Sequence, residues 1–528
     1  MVHPADLGAL PQAAAQKHGQ IPFFSDPPWS GLEFPVRTIG DFARAVEDYA
    51  DRLWGAGIRR GATVAVVKAN HIDIQAIACA AVRIGAVPVL LSVMMEPTEL
   101  LTCLGRLQLP TLLVDEVGIA KLASHANALP ALTDRTFALN QPGAPWAPVL
   151  DAQAPHKAIA CSADGPLIVT HTSGTTSTPK LVAQSADSLY GHAKPQVMIA
   201  RGFDVNGLSA KCLSFVHARV SSGLIAYLTV GVAFLAMASP ELDDIERQLV
   251  QHRPQSLETH PNLFLRWEPL AERPSRPFRS IERYVSTFDA VHPRTLRALL
   301  TGSDQSDPVW FLAYGQTEVG PVTLRVVRRA DLDRLDGSAS REVGKPFAGI
   351  TDVRVVDAKG RRLPVGTVGF VEARTPGRGI SIIGQPPLPG PDEWWRMGDV
   401  GRITEEGSLE LLDRVADRVD GVPSLLRIED QLLNLLPQLV EVVLTPYPHP
   451  RDGLLATVCT ADELPLDREL WAKAAEMAGL PAGTPVVQRR WDELPMTGSW
   501  KVRRHRIGPL IEQRRSATSA ANRRPRRG

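Results

Sequence analysis

The sequence lacks the features that accompany export or membrane insertion. Its 528 residues include five cysteines, an odd number without a Cys-x-x-Cys pair, which argues against a disulfide framework and against a zinc site. The N-terminus lacks a basic segment followed by an apolar stretch, and the most apolar run, residues 76–93, is interrupted by Arg83 and Gly85. We therefore predict a cytoplasmic protein without a membrane partner.

An excess of charge of one sign is also missing. The formal net charge is +1, and six arginines in the last fifteen residues leave the rest of the chain mildly acidic. Residues 514–528 lack the interleaved aromatic residues that accompany basic side chains in nucleic-acid-binding segments. We interpret them as a disordered basic tail and expect no nucleic-acid partner.

Helical and β patterns alternate through the first part of the chain. Thr38 to Asp41 have the form of a helix N-cap box, and apolar residues then recur at helical spacing as far as Leu53. A second helix is predicted over residues 72–84, and the predicted strands cover residues 62–67, 87–91, 166–170, 230–237 and 281–286. This alternation is typical of a parallel sheet covered by helices.

The pattern of predicted secondary structure changes twice further along the chain. After about residue 340, residues 353–356 and 366–371 indicate short antiparallel strands, and from Asp413 the chain restarts as a small α/β segment. We predict an α/β protein with a large N-terminal domain of doubly wound sheets and an appended β subdomain, over residues 1–412. A small C-terminal α+β domain is predicted over residues 413–513.

A loop rich in hydroxyl groups follows the strand predicted at residues 166–170. It reads Thr172-Ser173-Gly174-Thr175-Thr176 and is followed by Lys180. Hydroxyls and backbone N–H groups in such a turn can surround an anion, and a lysine matches the charge. A Ser/Thr-rich surface turn is the alternative, since the loop is not the Gly-x-x-x-x-Gly-Lys-Ser/Thr loop of common NTPases.

Four further motifs accompany this loop in a fixed order. They are Tyr314-Gly315-Gln316-Thr317-Glu318, Trp395-Arg396-Met397-Gly398-Asp399, Asp413-Arg414 and Leu494-Pro495-Met496-Thr497-Gly498-Ser499-Trp500-Lys501. Together with the loop, they resemble the signature of the adenylate-forming (AMP-binding) enzyme superfamily, which contains acyl-CoA synthetases, peptide-synthetase adenylation domains and luciferases. The resemblance extends over roughly residues 20–510.

The resemblance implies that ATP and Mg²⁺ are used. The residues it assigns to ATP or AMP are Thr172, Ser173, Gly174, Thr175, Thr176, Lys180, Asp289, Tyr314, Gly315, Gln316, Thr317, Asp399 and Arg414. The implied catalytic residues are Lys501, Thr317, Glu318 and His217, with Glu318 also holding the metal. The resemblance also implies a hinge at Ala416 or Asp417, about which a mobile small domain withdraws Lys501 between two half-reactions.

The same resemblance implies a pocket for the organic acid. Its residues would be His217, Arg219, Ser222, Phe288 and Ala313. His217 stands where many acyl-CoA synthetases have a gating histidine, which disfavours an α-amino acid, and Phe288 favours a short or flat acid, aromatic acids included. Arg219 could meet an anionic or phenolic substituent, or it could pair with a surface acid.

The function implied is an AMP-forming acid–thiol ligase. A small carboxylic acid would be activated as an acyl-adenylate with release of pyrophosphate, and then transferred to coenzyme A. The sequence departs from the family pattern at Ser177, Leu181 and Phe370, and it lacks the usual Gly-rich pattern after Asp417. These departures leave the acceptor of the acyl group open. The alternatives are transfer to a carrier protein or an amine in a natural-product pathway, an ATP-dependent diazotase reaction with nitrite, and a non-catalytic nucleotide-binding relative.

Overall fold

The computed structural model describes residues 3–140, 142–172, 179–287, 291–335, 341–446, 453–498 and 500–509. The α-helices are α1 (Leu10–His18), α2 (Ile39–Gly55), α3 (Asp73–Arg83), α4 (Pro97–Gly105), α5 (Glu116–Leu122), α6 (Ala186–Gly202), α7 (Ala218–Val230), α8 (Leu242–His252), α9 (Pro261–Trp267), α10 (Pro293–Gly302), α11 (Leu425–Leu435) and α12 (Arg468–Met477). The strands are β1 (Phe23–Asp26), β2 (Thr63–Lys68), β3 (Val87–Ser92), β4 (Thr111–Val114), β5 (Arg135–Ala138), β6 (Ile168–His171), β7 (Leu181–Gln184), β8 (Ser209–Lys211), β9 (Phe234–Met237), β10 (Ser256–Thr259), β11 (Arg283–Thr287), β12 (Val309–Gln316), β13 (Gly320–Arg328), β14 (Glu342–Pro346), β15 (Asp352–Val356), β16 (Gly369–Arg374), β17 (Ser381–Ile382), β18 (Trp395–Ile403), β19 (Leu409–Arg414), β20 (Leu439–Pro446), β21 (Leu454–Thr460) and β22 (Val486–Gln488).

These strands form two large sheets and one small sheet. The seven-stranded sheet has the order β17-β7-β6-β3-β2-β4-β5, in which β6 to β5 run parallel. The twelve-stranded sheet has the order β1-β9-β8-β10-β11-β12-β13-β14-β19-β18-β16-β15 and is parallel from β1 to β12. The predicted α/β class and the doubly wound sheets are confirmed.

The helices cover these sheets as the sequence predicts. The N-cap box at the start of α2 is confirmed, since Thr38 Oγ1 accepts the backbone N–H of Asp41 at 3.1 Å and the Asp41 carboxylate accepts that of Thr38. Helix α3 is buried along almost all of its length between the sheets. In the part of the chain that the structure describes, none of the helices combines the length and the apolar character needed to cross a membrane.

One predicted strand needs correction. The strand predicted at residues 230–237 begins only at Phe234, because Val230 ends α7 and Gly231 turns the chain with a left-handed φ of +81°. The antiparallel strands predicted as an appended β subdomain are present, and they continue the parallel sheet. Strands β13 and β14 join β15, β16, β18 and β19 to the parallel half in one continuous sheet.

The chain after Asp417 forms its own small layer. Strands β20, β21 and β22 make a three-stranded sheet, and α11 and α12 pack on it around Leu432, Val442 and Trp471. This arrangement is compatible with a boundary at residue 413, which stays a prediction. The predicted tail, residues 514–528, lies outside the described residues.

We expect Thr38→Ala to lower the free energy of unfolding by about 1 kcal/mol, because the first turn of α2 loses the hydroxyl acceptor for the Asp41 N–H. Urea denaturation followed by circular dichroism measures the change. Thr102→Ala is the matched control, because the Thr102 hydroxyl is exposed and donates only to the carbonyl of Thr98 within α4. A Thr38→Ala loss no larger than the control loss would contradict the prediction.

Candidate active site

The ends of the predicted phosphate loop meet at a hairpin between β6 and β7. The N–H of Thr172 donates to the carbonyl of Lys180 at 2.9 Å, and the N–H of Lys180 donates back to Thr172 Oγ1 at 3.1 Å. The Lys180 ammonium lies 3.6 Å from the Glu318 carboxylate. Ser173, Gly174, Thr175 and Thr176 lie outside the described residues, so their predicted contacts stay predictions.

Thr317 and Glu318 form the tight turn between β12 and β13. A side chain at Gly315 would place its Cβ 2.1 Å from the carbonyl oxygen of Gly320, so the two strands can approach this closely only with glycine there. Gln184 on β7 donates to the carbonyl of Thr317 at 2.8 Å. The turn is therefore held against the base of the phosphate loop, and both of its side chains are buried.

Asp399 accepts hydrogen bonds from the strand that carries Tyr314. The Tyr314 hydroxyl and Gln316 Nε2 both donate to Asp399 Oδ2, and Arg414 Nε lies 3.7 Å from Oδ1. Burial, and then the Asp399 charge, raise the pKa of Tyr314 well above its ordinary value, so the phenol stays a donor. The Asp399 carboxylate is thus positioned by three side chains that the motifs identified.

The opposite wall of the site comes from α6 and α7. His217 caps α7, and its Nδ1 accepts the N–H of Arg219 at 3.0 Å. Burial, and then the nearby His171, His260 and Lys501, keep the pKa of His217 well below its usual range. A neutral imidazole with Nδ1 as acceptor carries its proton on Nε2, so His217 presents a donor and not a base.

His192 on α6 also lines this wall, although the sequence motifs do not include it. Its Nε2 lies 2.7 Å from the carbonyl of Gly377, and burial lowers its pKa to about 4. Gly320 approaches the ring so closely that a Cβ there would be 2.5 Å from His192 Cδ2. The sequence around His192 does not reveal this position, because Gly377 and Gly320, the residues that the ring contacts, are distant from it in the chain.

Arg219 pairs with an acidic side chain of the protein, which was one of the two alternatives predicted for it. That side chain is buried and does not lie on the surface. Arg219 Nε lies 2.7 Å from Glu258 Oε1, and Nη2 donates to Oε2 at 2.9 Å. Lys211 pairs with the same carboxylate, and the Lys211 and Glu258 side chains are each only 1% exposed. Motif comparison missed both residues, since neither belongs to a motif.

Lys501 enters the site because the segment around it is attached to the large domain. Ser214 Oγ donates to the carbonyl of Gly498 at 2.8 Å, and Asn262 Nδ2 donates to that of Trp500 at 2.9 Å. Arg503 forms a buried bidentate pair with Glu99 on α4, at 2.6 and 3.0 Å. These contacts connect residues that are several hundred positions apart.

The predicted hinge lies in the short turn Val415–Asp417. Ala416 lines the main cavity, and Asp417 lines a second cavity of about 210 Å³ between the small domain and the large domain. Asp413, just before the turn, accepts the N–H groups of Leu425 and Leu426 at the start of α11, and burial raises its pKa to about 7. Rotation about this turn stays a prediction.

One cavity of about 350 Å³ brings the predicted residues together. Its lining includes Thr172, Lys180, His217, Arg219, Ser222, Ala313, Tyr314, Gly315, Gln316, Thr317, Glu318, Asp399, Arg414, Ala416 and Lys501. Residues beyond the prediction that also line it include His192, Thr287, Pro321 and Arg396. Phe288 and Asp289 lie outside the described residues, so their predicted roles stay predictions.

The oxygen atoms at the turn fit a magnesium ion that arrives with a nucleotide. Thr317 and Glu318 offer a hydroxyl and a carboxylate at the cavity wall. Across the described ranges, no group of three or more His, Cys, Asp or Glu residues could hold a metal. Mg²⁺ is usually bound by one or two carboxylates together with phosphate oxygens and water, which agrees with a single carboxylate here.

We compared the chain with protein-family models and with known proteins. The family model described as "AMP-binding enzyme" matches residues 12–379. The chain is 35% identical to 3-amino-2-hydroxy-4-methoxybenzoate diazotase from Streptomyces cremeus, over 96% of this chain and 95% of that protein. It is 22% identical to 2-succinylbenzoate–CoA ligase from Bacillus pumilus, over 89% and 92% of the two chains.

Among solved structures, an anthranilate CoA ligase in complex with anthranoyl-AMP has the same fold. The TM-score is 0.80 at 17% identity, and the superposition covers 97% of this chain and 98% of that chain. At this identity the likeness concerns the fold alone.

We expect Glu99→Gln to release the segment that carries Lys501, because it leaves Arg503 buried without its carboxylate partner, at a cost of about 3–5 kcal/mol. Amide hydrogen exchange of residues 500–509 should accelerate. The exposed Glu116→Gln, in the first turn of α5, is the matched control and should leave this exchange unchanged. Equal protection in both variants would show that the pair does not hold the segment.

Proposed function

The chain belongs to the AMP-binding enzyme family, and on this basis we propose that it activates nitrite with ATP and transfers the nitroso group to an aromatic amine. The observation that carries the proposal is the 35% identity, over 96% of the chain, to a protein named as a diazotase of an aminobenzoate. This favours the diazotase alternative over transfer to coenzyme A, which the motifs alone ranked first.

In the proposed first step, a nitrite oxygen attacks the α-phosphorus of ATP and pyrophosphate leaves. The product is a mixed anhydride in which the nitroso group is bonded to an oxygen of AMP. In the second step the amine nitrogen attacks the nitroso nitrogen, AMP departs with that oxygen, and one proton is lost. The N-nitrosamine tautomerises to a diazohydroxide, which is protonated and loses water to give the aryl diazonium ion.

The phosphate side of the cavity supports the first step. Thr172, Lys180 and Thr317 offer donors to phosphate oxygens, Asp399 offers a carboxylate to the ribose, and Lys501 brings a positive charge from the small domain. A magnesium ion, held by Glu318 and the phosphates, would offset their charge. Such a transfer depends mainly on positioning and on fixed donors that stabilise the charge developing on phosphoryl oxygens.

The opposite wall supports the second step. His217 lines the cavity, and because Nδ1 is an acceptor and burial lowers the pKa of the ring, His217 would act there as a hydrogen-bond donor through Nε2 and not as a base. The segment around Lys501 is attached to the large domain, and Lys501 lines the cavity from the side of the small domain.

Pyrophosphate release tests the proposal directly. We expect release to require nitrite, and nitrite labelled with oxygen-18 to transfer one labelled oxygen to AMP. With an aromatic amine present, the diazonium product should be trapped as an azo dye by an electron-rich naphthol. Release with an aromatic carboxylic acid and no nitrite, with a thioester after addition of coenzyme A, would overturn the proposal in favour of the acid–thiol ligase.

We expect Lys501→Ala to slow nitrite-dependent pyrophosphate release by on the order of 100-fold, as for the loss of one donor that stabilises transition-state charge. Lys473→Ala is the matched control, since Lys473 is an exposed lysine on α12 of the same small domain. Unchanged release in Lys501→Ala would remove Lys501 from the mechanism. Thermal unfolding of both variants checks that each remains folded.

A further inference from the structure

Three charged side chains form a buried cluster whose charges do not balance. Lys211 and Arg219 both pair with the single carboxylate of Glu258, and we name these three residues the Glu258 cluster. The side chains of Lys211 and Glu258 are each 1% exposed, and that of Arg219 is 14% exposed. Although burial by itself raises it, the two cations hold the pKa of Glu258 below its ordinary value. By formal charge, two cations share one carboxylate, which leaves one positive charge in excess.

Rigid elements hold the Glu258 cluster in place. Lys211 on β8 and Glu258 on β10 are direct partners in the parallel register of the twelve-stranded sheet. Arg219 comes from the first turn of α7, where the absence of a side chain at Gly223 leaves room for it. A Cβ at Gly223 would lie 3.3 Å from Arg219 Nη1 and 3.4 Å from Lys211 Nζ.

Arg219 is the member of the cluster that reaches the cavity. Its Nε and Nη2 face Glu258, and Nη1 donates to Gln196 Oε1. A guanidinium group has five N–H bonds, so two of them remain beyond these contacts. They can donate to a ligand from a fixed position.

The groups around Arg219 do not supply a compensating negative charge in the described part of the wall. His192 and His217 have pKa values lowered mainly by burial, so both are neutral near pH 7. Gln196 and Ser222 bond to each other at 2.8 Å and are also neutral. A buried positive charge without a counter-charge is costly, and an anion that accepts its free N–H groups offsets the cost.

We propose that the Glu258 cluster, through Arg219, binds an anionic substituent of the aromatic amine, in the first place a carboxylate. The inference rests on the proposed nitrite-dependent reaction and adds the substrate class to it. The carboxylate is then an anchor held at the α7 wall, and it is not the group that reacts with ATP. The amine is left to face the nitroso group on the phosphate side.

The wild-type protein tests this with two amines that differ only in the carboxylate, 3-aminobenzoate and aniline. We expect 3-aminobenzoate to have the higher kcat/KM by on the order of 100-fold, through a lower KM, because the buried donors are left unpaired by aniline. Calorimetric binding of the two amines should differ in the same direction. Equal affinities would overturn the assignment of the Glu258 cluster as an anion site.

Variants of Arg219 test which group makes the discrimination. Arg219→Gln should remove the preference for 3-aminobenzoate, and it leaves Lys211 and Glu258 as a balanced pair, so the fold should be kept. Arg219→Lys should restore part of the preference because it restores the charge but not the planar donor arrangement. Arg201→Gln, at an exposed position of α6, should keep the wild-type preference. A preference that survives in Arg219→Gln would overturn the role of Arg219.

The two proposals fail in different ways. Pyrophosphate exchange into ATP with nitrite but without amine reports the proposed function alone, and its absence would reject nitrite activation. The calorimetric comparison of 3-aminobenzoate with aniline needs no turnover, so it still decides whether the Glu258 cluster binds an anion.

Discussion

The buried ion pair between Glu99 and Arg503 helps to attach the segment that carries Lys501 to the large domain. Both charged groups are buried and joined by two hydrogen bonds, so removing either partner leaves the other charge buried without compensation. Docking also requires glycine at position 498, where a Cβ would lie 2.7 Å from that of Ser92. With the segment in this position Lys501 lines the cavity, so side chains of the large and the small domain meet in one site.

The two sides of the cavity differ in their distribution of charged side chains. On the proposed phosphate side, Lys180 faces Glu318 and Arg414 faces Asp399, and Lys501 adds a further positive charge. On the α7 wall the histidines are neutral and the Glu258 cluster is positive. Low local dielectric strengthens each of these interactions. A nucleotide on one side and the proposed anionic substituent of the amine on the other would match this distribution.

Much of the fold follows from local patterns in the sequence. The N-cap box at Thr38, the helix α3 and the strands β2, β3 and β6 lie close to the positions that periodicity predicts. Local patterns do not show how strands distant in the sequence are ordered in a sheet. The antiparallel strands continue the parallel sheet because β13 pairs with both β12 and β14, and local periodicity does not record which strands become neighbours.

The sequence by itself determined the family and identified many residues of the main cavity, because those residues lie in short contiguous motifs that can be recognised from the order of residues alone. Thr317, Glu318, Asp399, Arg414 and Lys501 all line that cavity, and their roles toward ATP and Mg²⁺ stay predictions. Only the tertiary structure decided the partners that set their environment. Lys211, Glu258 and His192 belong to no motif, and they acquire a role because sheet register and helix packing bury them beside Arg219 and the cavity. Burial and charge balance are properties of that three-dimensional neighbourhood, so they were not visible in the order of residues.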